Sequence, residues 1–129
     1  MLRRNEQSKI LTTPKELQDR LKSYAIDIVR FAEGLPESPG FRTVRNQIVC
    51  CGPSSAANYR AACRGKLPAD FKHKLEIVEE ELDETMFWLE FTVGLDETKR
   101  TSVGPLWKEG NELLSIIIGS INATKRKLK

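Results

Sequence analysis

Histidine and cysteine are scarce in this chain. One His and three Cys occur among 129 residues. That count is odd and too low for a disulfide scaffold, and Cys50, Cys51, Cys63 and His73 lack zinc-ligand spacing. No Gly-rich phosphate loop, Ser-His-Asp set or Cys-His pair is present. The carboxylate-rich third segment lacks the Glu-x-x-His spacing of di-iron bundles, because no Glu stands three residues before His73. A non-enzymatic protein with no metal and no cofactor is therefore expected. No run comes near the ~18 consecutive apolar residues of a membrane span, so no membrane association is expected. Residues 1–12 are basic and polar, with no apolar run after Arg3-Arg4. They read as a flexible segment and not as a signal peptide, and the expected compartment is the cytoplasm.

What the chain does contain is helical periodicity. Its length suits one domain, and 40% hydrophobic with 30% charged residues is a globular mixture rather than a disordered one. Thr13-Pro14-Lys15-Glu16 has the form of an N-cap, a first-turn proline and a capping-box glutamate. Leu17, Leu21, Tyr24, Ile28, Phe31 and Leu35 then follow at steps of four and three. Gly34 and Pro36 end that segment. Phe41, Val44, Ile48, Cys51 and Ser55 mark a second helix, and Phe71, Leu75, Val78, Leu82, Leu89 and Val93 a third, with Thr85 or Met86 filling its gap. After a polar loop over 95–104, Pro105 is read as opening a fourth, with Leu106, Leu113, Leu114, Ile117, Ile118 and Ile121 on its apolar face. No hairpin pattern competes. The expectation is an all-α, antiparallel up-down four-helix bundle over 13–126. Its helices lie at about 13–34, 41–64, 68–94 and 105–125, and 127–129 form a basic tail.

The middle of the second helix is unusual. Cys50-Cys51-Gly52-Pro53-Ser54-Ser55-Ala56-Ala57 places a proline inside it, which removes a backbone hydrogen bond at a cost of roughly 3 kcal/mol. Either the helix kinks near Gly52-Pro53 or two helices meet there. The small residues favour a kinked helix lying close to a neighbour. Asn58, with Gly52, Pro53 and Ser54, then belongs to a structural motif in which its side chain bonds backbone freed by the kink. The other reading puts Asn58-Tyr59-Arg60 in a polar recognition surface. The three cysteines read as small buried apolar residues.

Charge is segregated beneath a net of only +3. The span 41–66 has five basic residues, Arg42, Arg45, Arg60, Arg64 and Lys66, and no acid. The span 67–94 sets two lysines against eight acids, and Lys125, Arg126, Lys127 and Lys129 crowd the C-terminus. The basic second helix could pair with the acidic third, within the bundle or across subunits. Alternatively, it could form with the basic ends a surface for phosphates. The run Met86-Phe87-Trp88-Leu89 cannot all face one core, so Ile77, Phe87, Trp88 and Phe91 are candidates for an interface between copies.

Several motifs carry a resemblance. Gly52-Pro53-Ser54-Ser55-Ala56-Ala57-Asn58-Tyr59-Arg60-Ala61-Ala62, Asp70-Phe71 to Leu75, Ile77-Val78-Glu79-Glu80-Glu81, Asp83-Glu84-Thr85, Phe87-Trp88-Leu89-Glu90 and Asn111-Glu112-Leu113-Leu114 resemble a bacterial four-helix bundle family. Its members are the proteins encoded by intervening sequences of 23S ribosomal RNA genes. The match covers the second to fourth helices, and the first by pattern only. Gly-Pro-Ser stands here where the related subgroup often has Gly-Thr-Ser. The resemblance implies a homo-oligomer, as a pentameric ring. A remoter similarity to the accessory protein of diversity-generating retroelements implies binding of RNA or DNA and a protein partner such as a reverse transcriptase. The leading expectation is nucleic-acid binding through Arg42, Arg45, Arg60, Arg64, Lys66, Lys125, Arg126 and Lys127. The alternative is a protein-interaction scaffold ring without nucleic acid.

Overall fold

The computed structural model describes residues 12–128. It contains four long helices: α1 (Pro14–Glu33), α2 (Pro39–Arg64), α3 (Pro68–Leu95) and α4 (Arg100–Leu128), with a 3-10 turn at Glu97–Lys99 before α4. They form an antiparallel up-down bundle in which each helix packs on the next and a sparser α1–α4 contact closes the square. One end carries the start of α1, the α2–α3 loop and the end of α4, and is called here the single-loop end. The two-loop end carries the α1–α2 and α3–α4 connections. Of the expected flexible segment 1–12, all but Thr12 lies outside the described residues, as does Lys129. Lys127 is not in a tail but in α4.

The capping box forms as expected. Glu16 N–H donates to Thr13 Oγ1 at 3.1 Å, and Thr13 N–H to Glu16 Oε2 at 3.2 Å. The second helix begins two residues earlier than its apolar stripe suggests, because Ser38 Oγ accepts from Phe41 N–H at 3.2 Å and Pro39 fits the first turn. The fourth begins five residues earlier than expected. Asp96 carboxylate accepts from Thr98 N–H at 3.0 Å, so the 95–104 stretch turns directly into helix and Pro105 lies inside α4. The carbonyl that Pro105 leaves without its partner is that of exposed Thr101, which water can satisfy.

The apolar stripes meet at the centre. Leu21, Ile28, Val44, Ile48, Leu75, Val78, Leu82, Leu89, Leu113 and Ile117 are fully buried, each such side chain contributing about 1.5–3 kcal/mol. In α3 both Thr85 and Met86 are buried, so the gap in that stripe is filled twice. Ile118 is exposed. Among the cysteines, Cys51 is buried, Cys63 half-buried and Cys50 exposed, so the reading of three buried thiols holds fully for Cys51 alone. Burial pushes the Cys51 thiol up to about 11, against the hydrogen bond that Thr85 Oγ1 donates to it at 3.2 Å.

α2 runs through Pro53 as one helix. The small-residue run does lie against a neighbour: a Cβ on Gly52 would come within 2.8 Å of Ile28 Cγ2 of α1. Asn58 does not bond the carbonyl that Pro53 frees, which belongs to Val49. Its Nδ2 donates to Ser54 O at 3.0 Å, one turn back, and to Glu81 Oε1 of α3 at 2.8 Å. It therefore links two helices rather than mending one. On the other flank of α1, a Cβ on Gly110 of α4 would overlap the Tyr24 hydroxyl. Beside it Arg20 donates twice to Glu109, at 2.7 and 2.8 Å, and meets Glu112 at 3.0 Å.

Arg45 has a structural role. Its Nε donates to Ala32 O at 3.3 Å and its Nη2 to Leu35 O at 2.9 Å and Pro36 O at 3.2 Å, with Glu37 at 3.5 Å. It thereby takes up the Leu35 and Pro36 carbonyls of the α1–α2 connection and ties that turn to α2, sharing Ala32 O with the Leu35 N–H.

Two measurements check this packing. Gly52→Ala should lower the urea-unfolding free energy by about 1–3 kcal/mol despite the better helix propensity of alanine. Gly119→Ala, where a Cβ would meet nothing within 4 Å, should instead raise it by up to ~1 kcal/mol. Arg45→Ala should cost about 1–3 kcal/mol by the same assay, while Arg42→Ala should change it by less than ~0.5 kcal/mol.

Candidate nucleic-acid interface

Helix direction decides where the cations go. α2 and α4 both end at the single-loop end, so the last turn of α2 and the last turns of α4 are brought to the same pole, on diagonally opposite helices. Arg60, Arg64, Lys66, Lys125, Arg126 and Lys127 are all exposed there, and none makes an ion pair among the described residues. Lys66 and Lys127 line one shallow hollow of about 350 Å³ with Pro14, Tyr59 and Phe71. Burial first, and the Cys63 hydrogen bond second, push the Tyr59 hydroxyl well above its usual range, so this floor stays neutral. Two other lysines of this end differ. Lys15 is paired with Asp19 at 2.9 Å and Lys72 with Glu76 at 3.2 Å.

The eight expected contact residues therefore do not form one surface. Arg42 lies at the two-loop end, separated from the rest by most of the length of α2, and Arg45 is engaged with the α1–α2 connection. The other six gather. A basic second helix becomes a basic end, because a bundle helix about 40 Å long delivers its two tips to opposite poles.

Pairing of the basic second helix with the acidic third does not occur within the bundle. Among the described residues no ion pair joins α2 to α3. The polar links between them are Asn58 to Glu81 and Thr85 to Cys51. Burial pushes the Glu81 carboxyl up, the hydrogen bonds from Ser54 and Asn58 hold it down, and Glu84 and Glu80 push it up further. Glu80, Asp83 and Glu84 remain exposed on the outer side of α3.

The expected interface residues divide as well. Phe87 and Phe91 are 52% and 39% exposed, whereas Ile77 and Trp88 are half-buried. Phe87, Trp88 and Phe91 touch one another, with ring centroids 4.9, 5.2 and 6.0 Å apart. A groove that sequence reasoning missed lies across α1 and α2. It holds about 750 Å³, with Ala25, Pro53, Ala56 and Ala57 among its lining residues and Lys22, Arg30, Arg60 and Arg64 around them. The run of small residues in α2 was its available signal, and the matching gap on α1 was not readable as such. Arg20 was also missed, although Glu109 and Glu112 form a pair one turn apart that invites a cation.

Among the described residues, no group of three or more His, Cys, Asp or Glu is placed to hold a metal ion, and no helix is long and apolar enough to cross a membrane. No protein-family model matches the chain, and no curated protein does. A solved structure is similar: that of a protein of unknown function from the S23 ribosomal protein family of Bacteroides thetaiotaomicron. It shares 27% identity at a TM-score of 0.77, over 84% of this chain and 97% of that one. The likeness is to a bacterial family of helical proteins, and it agrees with the four-helix fold.

Proposed function

We propose that this chain is a non-enzymatic, cytoplasmic, homo-oligomeric bundle protein that binds RNA at its single-loop end. The observation that carries this reading is the convergence there of Arg64, Lys66, Lys125, Arg126 and Lys127, exposed and without ion pairs among the described residues, with Arg60 beside them. Such a cluster attracts a phosphate backbone mainly by releasing condensed counterions. The motifs around Gly52–Ala62 and Phe87–Glu90, together with the S23-family neighbour, support placing the chain with the 23S ribosomal RNA intervening-sequence proteins. On that resemblance the oligomer is a pentameric ring, and DNA or a reverse transcriptase is a further partner. The exposed Phe87 and Phe91 favour a second reading, a protein-interaction scaffold ring that binds no nucleic acid.

Fluorescence anisotropy with a short labelled single-stranded RNA separates the two. Lys66→Ala with Arg126→Ala and Lys127→Ala should weaken binding and lower the slope of log K against log salt by about 2. Arg42→Ala should leave both unchanged. Absence of binding at low salt, or an equal loss in the Arg42 variant, overturns the RNA reading.

A further inference from the structure

The four helices do not end level at the single-loop pole. Arg20 of α1 meets Glu109 and Glu112 of α4, which sets Pro14 near the level of Ile118. About ten residues of α4, a length of roughly 15 Å, therefore run on past the start of α1. Gly110 of α4 lies against Met86 of α3, and Pro68 and Leu128 stand equally far along their helices from that contact. The first turns of α3 and the last turns of α4 thus rise as two walls, with α1 starting below them.

The hollow that Lys66 and Lys127 line sits between these walls. Tyr59 of α2 is its floor, and Phe71 of α3, Pro14 of α1 and Leu67 of the connecting loop are its apolar sides. A second hollow shares Tyr59, Phe71 and Lys127 with it and continues down the thinly packed α1–α4 seam over Leu17 and Ile116. At about 350 Å³ the first falls at the small end of ligand-sized cavities. Leu67 is the anomaly. It holds the N-cap position of α3, makes no side-chain cap bond there and is 62% exposed. Ser, Thr, Asp or Asn would stabilise the helix at that place. The leucine gives up that stability and sets an apolar lip beside Lys66.

The electrostatics suit an anion that has an apolar part. Two helices start and two end at this pole, so their terminal dipoles offset one another and the lysines set its field. Among the described residues no acid lines either hollow. The uncharged polar side chains around the first are already engaged. Thr124 Oγ1 donates to Ser120 O at 2.8 Å, and the Tyr59 hydroxyl is hydrogen-bonded with Cys63. Apart from the lysines, little is left to read the edge of a planar group, whereas its face can lie on apolar walls.

We propose that this hollow seats one unpaired nucleotide of the bound RNA, its base against Phe71 and Leu67 and its flanking phosphates at Lys66 and Lys127. The proposal rests on the RNA reading given above and adds which part of the RNA enters, and where. A base inside a duplex cannot reach such a hollow without leaving its stack, so the ligand is a single-stranded end or loop. Contact through the face accepts any base, so the protein separates single strand from duplex rather than one sequence from another.

Isothermal titration calorimetry on the full chain tests this with a short single-stranded RNA and with inorganic polyphosphate, an anion without bases. Leu67→Ser should weaken RNA binding by about three- to tenfold and leave polyphosphate binding unchanged, and Phe71→Leu should do the same. Lys66→Ala should weaken both ligands. The same RNA annealed into a duplex should bind wild type more weakly than the single strand. Phe71 packs against the core, but Leu67→Ser supplies a missing cap, so its urea-unfolding free energy should hold or rise. If either variant leaves RNA binding unchanged or weakens polyphosphate equally, or if the duplex binds as tightly, no base enters the hollow and an RNA contact through phosphates alone stands. If Leu67→Ser lowers the unfolding free energy, the lip serves the fold and the proposal fails. If the single-stranded RNA does not bind wild type at low salt, the RNA reading itself falls.

Discussion

The bundle depends on the space made for α1. That helix is flanked by a glycine on each side, Gly52 of α2 against Ile28 and Gly110 of α4 against Tyr24. Without side chains there, Ile28 and Tyr24 turn inward and the four apolar stripes reach one another. The closure against α4 is the sparser of the two, and Arg20 reinforces it with a bidentate bond to Glu109 and a third contact to Glu112. An arginine between two glutamates in a half-buried seam keeps its geometry better than a surface pair, because both carboxylates hold the planar fork in place. Polar matching therefore compensates where apolar contact is thin.

Charge in this chain is organised by poles as well as by faces. Antiparallel helices deliver alternate tips to alternate ends, so a run of cations confined to one helix in the sequence is split in space. Cations at the ends of two different helices are joined instead. Glu80, Asp83 and Glu84 of α3, by contrast, lie along its outer side and make no ion pair among the described residues. A net charge of +3 is thus the sum of a basic cap and an acidic flank that are kept apart.

Much of this was legible beforehand. The stripes of α1 and α3, the capping box at Thr13 and the close approach at Gly52 follow from local periodicity and side-chain size, which do not depend on distant partners. The start of α4 was misread because Gly104-Pro105 looks like a helix boundary, whereas solvent at Thr101 tolerates the missing bond. The roles of Arg45 and Asn58 were illegible for another reason. Each is decided by a partner far along the chain or across a loop, Leu35 and Pro36 for one and Glu81 for the other. The gathering of the cations was within reach, since the up-down order alone puts the ends of the second and fourth helices together.

The Asn58–Glu81 bond has a consequence for the spacing of opposite charges. It ties α2, whose last turns carry Arg60 and Arg64, to α3, whose outer side carries Glu80, Asp83 and Glu84. A slip of α3 by one turn, about 5.4 Å, would carry those acids along the axis while the cations of α2 stayed in place. A single amide-to-carboxylate bond thus helps to hold the acidic flank at a fixed height above the basic pole.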